Sequence, residues 1–333
     1  MPLYSDNKQI HFRPNKLMTK KLTILDIAKL AGVGKSTVSR VLTNHPKVKA
    51  STREKVERLI QESGFVPSKS AQAMGGGSSK VVGIIVSRLD SSSENKVVSG
   101  ILDVMYAAGY DAMIMEGQFS AAKTDEHLAV LQKRGVDGVI LFGFTGYDLT
   151  NVEKLAHKAV VIAVDSDHVS SVGYDNKGII KQAISSVKSQ GKQNISFIGV
   201  DIKDKTTGLM RLNAYLDYCK SENIEPHFQT GQLSHKSAYE LTDLVVTPQT
   251  EAIVCASDTL AMGVAKRLQE LNRSDILVSG VGETELLAFI FPNTFSIDPG
   301  YYLAGKASAN LLIKQLEGTR EVLHVTQKIP TNQ

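Results

Sequence analysis

LTILDIAKLAGVGKSTVSRVL, running from Leu22 to Leu42, contains two short amphipathic segments and the turn between them. Thr23 precedes apolar residues at Ile24, Leu25, Ile27, Ala28, Leu30 and Ala31, and Asp26 lies in the first turn, where a carboxylate complements unpaired N–H groups. One short helix is predicted. Gly32 ends it, because glycine accepts the left-handed backbone that a tight turn needs, and Val33 supplies a small apolar plug between helices. A second helix starts near Gly34 or Lys35, with Val38, Val41 and Leu42 on its buried side. Its other side carries Lys35, Ser36, Thr37, Ser39 and Arg40, all donors or small enough to approach a base edge. Two helices joined this way form a helix-turn-helix, whose second helix enters the DNA major groove.

Two other readings compete for the same residues. GVGKST looks like the end of a phosphate loop, but that motif needs a glycine five positions before Gly34, where Lys29 stands. A helical hairpin without a nucleic-acid role would not explain the surrounding charge. Residues 1 to 80 carry 15 Lys and Arg against 5 Asp and Glu, net +10, whereas the other 253 residues carry 23 against 29, net −6. A basic head that attracts phosphates sits on a mildly acidic body.

The run TILDIAKLAGVGKSTVSRVLTN and the following STREKVERLIQESGFVPSKSAQAM resemble the N-terminal region of the LacI/GalR transcription regulators over its full extent. The resemblance implies a third helix over Ser51 to Ser63, which a Ser51/Glu54 capping box and the apolar Val56, Leu59 and Ile60 also predict. It further implies a hinge helix from Ser68 to Met74, containing Ala71, that forms on operator DNA and drives an apolar wedge at Met74 into the minor groove. Physically, Pro67 disfavours continuation of the third helix, Ser68 can cap a new one, and Gly75-Gly76-Gly77-Ser78-Ser79 is a flexible tether. A helix this short is marginal in water and is expected to order only against DNA. By the family pattern Lys35, Ser36 and Arg40 read the major groove, Arg40 through a bidentate bond to guanine, while Thr37, Ser39 and Arg53 hold phosphates.

Residues 1–21 read as a disordered extension. MPLYSDNKQIHFRPNKL has no apolar periodicity and no long apolar core, so it predicts neither a signal peptide nor a membrane span. MTKKLT from Met18 resembles a normal start for the family, which implies an early start codon upstream. The head then covers 22–67 and the hinge with its linker 68–79.

From Val81 the rhythm changes. Apolar runs recur as VVGIIV from Val81, AMIM from Ala112, VDGVILFG from Val136, AVVIAVD from Ala159, ISFIGV from Ile195, AIVCAS from Ala252 and LVSGVG from Leu277, with helical stretches between them. This alternation predicts an α/β body with parallel sheets. Residues 80–333 read as two similar lobes, the first covering 80–173 and 300–320 and the second 174–299 and 321–333, with crossings near Gly173 and Pro299. This arrangement resembles the periplasmic-binding-protein fold, which forms the effector domain of the family. Ligands of open parallel sheets sit beyond the carboxyl ends of the strands, here in the cleft between lobes. That selects Arg88 to Glu94, Gly143 to Gly146, Asp165 to Asp167, Asp201 to Thr207, Ser257 to Thr259, Glu283 to Glu285 and Pro299 to Tyr301. Carboxylates, hydroxyls and guanidinium groups concentrate there, a mixture suited to a sugar, and arginine adds bidentate capture of phosphate.

VSRLDSSSEN, ILFGFTG, DKTTGLMRLNAYLDYCK, ASDTLAMG and SIDPGYYLAG extend the resemblance to the trehalose-responsive branch of the family. It implies a repressor of trehalose uptake and utilisation genes with trehalose 6-phosphate as effector, surrounded by Arg88, Asp90, Glu94, Gly143, Asp204, Thr206, Thr207, Arg211, Thr259 and Tyr301. Val164 stands where that branch leads us to expect arginine, a loss that weakens phosphate binding unless Lys205 or another base compensates. A regulator responding to another sugar or sugar phosphate is the alternative. The resemblance also implies a cytoplasmic homodimer on palindromic operator DNA, whose hinge melts when effector binds.

An enzyme is the main rival class. No G-x-S-x-G elbow, H-E-x-x-H helix or complete phosphate loop is present, and the 8 His are scattered, so neither a metal nor another cofactor is expected. Asp258 and Glu285 can be posed as acid and base, but a strand-end carboxylate in a binding fold is more often a hydroxyl acceptor. The 2 Cys, Cys219 and Cys255, are not at metal spacing and read as reduced core residues of a cytosolic protein.

Overall fold

The computed structural model describes residues 22–42, 45–65 and 78–330, and the chain divides into two compact units at Ser79/Lys80. In the first, α1 (Ile24–Ala31), α2 (Lys35–Leu42) and α3 (Ala50–Ser63) enclose a small core. Thr23 and Asp26 form a reciprocal capping box at the start of α1, and Gly32 closes the helix at φ 65°. Ile27, Ala28, Ala31, Val38, Val41, Val56 and Phe65 are the buried apolar residues of this core. The third helix begins one residue earlier than expected. Lys49 is its N-cap without a side-chain bond, and Thr52 and Arg53 donate their N–H groups to the Lys49 carbonyl. Ser51 therefore lies inside the first turn, which corrects the Ser51/Glu54 capping box. The hinge residues Ala71 and Met74, like the extension 1–21, fall outside the described residues.

The second unit starts with β1 (Val81–Val86), α4 (Ser92–Ala107), β2 (Asp111–Glu116), α5 (Ala121–Lys133), β3 (Gly138–Phe142), the short α6 (Thr150–Glu153), β4 (Ala159–Ile162) and β5 (Ser170–Tyr174). After α7 (Asn176–Ser189) come β6 (Ile195–Val200), α8 (Arg211–Glu222), β7 (Phe228–Gly231), α9 (His235–Val245), β8 (Ala252–Cys255) and α10 (Asp258–Glu270). The chain ends with β9 (Leu277–Val281), α11 (Glu285–Ile290), β10 (Thr294–Ile297), α12 (Tyr301–Leu316) and β11 (His324–Gln327). Two parallel sheets result, of order β11-β5-β4-β3-β1-β2 in lobe 1 and β10-β9-β8-β6-β7 in lobe 2. Central strands such as VVGIIV and GVILF are buried throughout, as a sheet covered by helices on both faces requires. By contrast β2 is an edge strand, and Ile114 in it is exposed.

The tail corrects the lobe boundaries. Residues 324–327 pair with β5, His324 opposite Ser171 and Gln327 opposite Tyr174, so β11 extends the lobe 1 sheet; beyond it, Ile329 packs against the lobe 2 core. Lobe 1 is bound together by α12 against α4. A Cβ at Gly100 would lie 2.1 Å from the Tyr302 carbonyl oxygen, and one at Gly305 2.0 Å from the Val97 carbonyl oxygen, so only glycine permits this close crossing. Among the described residues no helix is long and apolar enough to cross a membrane.

Candidate operator-reading face and effector cleft

In the head, the packing that buries Val38 and Val41 turns the opposite side of α2 outward, leaving Lys35, Ser36 and Arg40 exposed and Thr37 and Ser39 half-buried. The side chains carry cationic and hydroxyl donors on one face of a helix, as major-groove readout requires. Arg53 has a further duty: its Nη2 donates to the His45 carbonyl at 2.8 Å, tying the α2–α3 connection to α3.

In the second unit, a cleft opens between the lobes, with about 790 Å³ of empty space including its open mouth. Arg88, Glu94, Gly143, Asp204, Thr206, Thr207, Arg211 and Tyr301 all line it. Lobe 1 contributes the turn after β1 and the start of α4. Ser91 caps α4 by accepting from the Glu94 N–H, and the Glu94 Oε2 reaches back to the Ser87 and Arg88 N–H groups at 2.7 and 3.4 Å. Burial pushes the Glu94 carboxyl from 4.5 up to about 7, against the lowering effects of those two N–H groups and of the Arg88 charge. Lobe 2 contributes Asp204, whose Oδ1 accepts from the Thr206 and Thr207 N–H groups at 2.9 Å and opens a π-helical turn, Lys205–Met210, leading into α8.

The cations are arranged differently from ordinary surface charges. Arg211 is 2% exposed; its Nε donates to Asn176 Oδ1 at 2.8 Å and its Nη1 to the Ala256 carbonyl at 2.5 Å. Both acceptors are neutral, and among the described residues no carboxylate pairs with this guanidinium. Arg88 Nε is buried without a hydrogen bond, its nearest carboxylate being Asp90 Oδ1 at 3.7 Å. A buried donor without an acceptor is costly, and an anionic ligand would remove that cost. Along another side, Phe119, Phe142, Phe144, Val164 and Leu233 make the lining apolar. The Phe119 and Phe144 rings meet edge to face at 5.8 Å, and Phe144 stacks on Tyr147 at 5.2 Å. Val164 lies where a Cβ on Gly143 would approach its Cγ2 to 2.1 Å, so the valine fills the space the glycine leaves.

Three expected ligand residues do not line the cleft. The Asp90 side chain is 83% exposed. Lys205 is also exposed, and its N–H donates across the lobes to Thr145 Oγ1 at 3.0 Å. Thr259 sits in the first turn of α10, beside Asp258, whose carboxylate accepts from Ser296 Oγ at 2.6 Å and the Thr284 N–H at 2.7 Å. Those bonds tie the 283–284 loop to α10 and give Asp258 a structural role. Conversely, Ser87, Phe119, Phe142, Tyr174, Asn176 and Leu233 line the cleft without having been selected. Tyr174 and Asn176 flank the first crossing between lobes, so the crossing expected near Gly173 was their available signal. Cys219 and Cys255 are free and buried, and burial pushes both thiols up.

A DNA-reading helix-turn-helix and a two-lobed binding cleft in one chain define the ligand-responsive transcription regulators. Residues 23–68 match the family of bacterial regulatory proteins described as the lacI family, and residues 184–333 match the periplasmic binding protein-like domain. The HTH-type transcriptional regulator TreR of Escherichia coli (strain K12) is 47% identical over 307 residues, covering 91% of this chain and 96% of that protein. TreR of Salmonella typhimurium is 46% identical over 301 residues, covering 90% and 96%. A solved structure of the trehalose repressor from Escherichia coli aligns with a TM-score of 0.72 at 42% identity, over 75% of this chain and 97% of that one. The lac repressor dimer bound to operator and the anti-inducer ONPF shares the fold, with a TM-score of 0.79 at 22% identity over 93% and 97%. The chain belongs to the LacI family of bacterial transcription regulators.

Proposed function

We propose that this protein is a cytoplasmic, homodimeric repressor of trehalose uptake and utilisation genes, released from palindromic operator DNA by trehalose 6-phosphate and carrying out no catalysis. Lys35, Ser36 and Arg40 read bases, Thr37, Ser39 and Arg53 hold phosphates, and Ala71 and Met74 belong to the minor-groove hinge. The similarity to TreR supports the regulon. The observation that carries the effector class is Arg211, a buried guanidinium facing neutral acceptors in the cleft lining, with Arg88 Nε, which makes no hydrogen bond, in the same lining. With Arg88 and Arg211, the residues Glu94, Gly143, Asp204, Thr206, Thr207 and Tyr301 form the direct effector contacts, and Asp90, Lys205 and Thr259 lie outside that lining.

Val164 favours a second reading, in which a different sugar or sugar phosphate is the effector, because an apolar side chain lines the cleft there. Titration calorimetry with trehalose 6-phosphate, trehalose and another sugar phosphate separates the two. The first reading expects trehalose 6-phosphate to bind tightest, Val164→Arg to tighten it by up to about ten-fold through an added charge-assisted bond, and operator affinity to fall as it is added. Unchanged or tighter operator binding in its presence defeats the assignment.

A further inference from the structure

Lys96 lies on α4 between the cleft-lining Glu94 and Val97, but it does not line the cleft. Its Nζ crosses instead to lobe 2, donating to the Gly282 carbonyl at 3.0 Å, the Glu283 carbonyl at 2.5 Å and Glu283 Oε2 at 3.4 Å. The receiving loop is shaped for this. Gly282 and Glu283 both have left-handed backbones, φ 142° and 52°, the second being costly for a residue with a side chain. Their carbonyls are held in place from behind. The Gly282 N–H donates to the Ile297 carbonyl at 2.9 Å, the Glu283 N–H to Ser296 Oγ at 2.7 Å and the Thr284 N–H to Asp258 Oδ2 at 2.7 Å, while Ser296 Oγ donates to Asp258 Oδ1. A lobe 1 ammonium thus docks on a rigid carbonyl pair of lobe 2. The ion pair with Glu283 is the lesser part, since Lys96 and Glu283 are 34% and 61% exposed in their side chains and water screens them.

The effector contacts are split between the same two bodies: Arg88 and Glu94 belong to lobe 1, Asp204 and Arg211 to lobe 2. A ligand can engage both halves only at one angle between the lobes, and the angle is cheaper to hold if fixed before binding. We propose that Lys96 is a positioning residue for effector recognition: by gripping the Gly282 and Glu283 carbonyls it sets the angle at which the two half-sites face each other. The inference rests on the effector reading of the cleft but concerns residues that touch no ligand.

The test uses the full chain, with trehalose 6-phosphate as probe and spin labels at Lys133→Cys in lobe 1 and Lys236→Cys in lobe 2, the native thiols being buried. Lys96→Met, which retains an apolar stem, should weaken binding by about ten-fold, as expected when only about a tenth of unliganded molecules hold the binding angle. Lys96→Arg should remain within about three-fold of the wild type and Glu283→Gln within about two-fold, because either keeps the carbonyl grip. Without ligand, the distance distribution between labels should broaden in Lys96→Met and not in Lys96→Arg, with the thermal unfolding midpoint unchanged in both. A purely structural lysine would shift the midpoint and leave the distances alone. If wild-type protein binds no trehalose 6-phosphate, the effector reading fails and the distances alone decide this proposal; an unchanged distribution in Lys96→Met overturns it in every case.

Discussion

The head and the cleft handle charge in opposite ways. On α2 the candidate base-reading side chains, Lys35, Ser36 and Arg40, stand exposed, outside the apolar core beneath them. In the cleft, Arg211 is buried and its guanidinium also braces the fold through Asn176 and Ala256. A reading surface can therefore be altered without unfolding the protein, whereas a buried binding group joins recognition to stability.

The largest effect should come from attacking the small core that supports the reading face. Ile27→Ala removes a fully buried side chain from the head, at a typical cost of about 2 to 5 kcal/mol. Operator binding should vanish in gel-shift titrations while calorimetry of the cleft is unaffected; retained operator binding would break the comparison. Next, Arg211→Met should cost about 100-fold in effector affinity and lower the unfolding midpoint, since two buried acceptors lose their donors. Effector loss with an unmoved midpoint would show that the guanidinium braces nothing. Arg40→Ala should weaken operator binding by about 30-fold, a loss of about 2 kcal/mol from one bidentate base contact. Its midpoint should match the wild type in differential scanning calorimetry.

The smallest effect is a slope with pH. Glu94 binds its proton more tightly in the folded protein, up to about 7 against an ordinary 4.5. The native state therefore holds more protons than the unfolded chain between those values, and the stability linked to this group is fully present below 4.5 and declines as pH rises towards 7. Denaturant titrations from pH 4.5 to 7.5 should show a shallower decline in Glu94→Gln. An identical slope would place the wild-type decline on other groups.

The head was legible because its determinants are consecutive: a capping pair, a glycine and an apolar stripe fall within twenty-odd residues, and the exposed face is what the stripe leaves over. The buried strands of the body announce themselves in the same way. What escaped were β5, β7, β10 and β11, reading SSVGY, FQTG, TFSI and HVTQ, because short, polar, partly exposed strands carry no strong period. With β11 unseen, residues 324–327 were assigned to the wrong lobe. With β5 unseen, Asn176, the brace of Arg211, looked like an ordinary residue at a helix start. Strand-end topology selected Arg88, Glu94, Gly143 and Asp204, which line the cleft, because any open parallel sheet collects its ligand groups there, whereas Arg211 came only with the family resemblance. It also proposed Thr259, which lies outside the cleft lining, beside the Asp258 that ties the 283–284 loop to α10.

The return of the chain to lobe 1 has a consequence for synthesis. Every strand of the lobe 2 sheet lies between Ile195 and Ile297, whereas lobe 1 needs α12 and β11, from Tyr301 onward, to cover α4 and complete its sheet. During translation from the N-terminus, the later lobe can close on itself while the earlier one still waits with the apolar faces of α4 and β5 uncovered. Released chains truncated shortly after Ile297 should therefore be the aggregation-prone species, and a frameshift just beyond that residue should damage the lobe that was translated first.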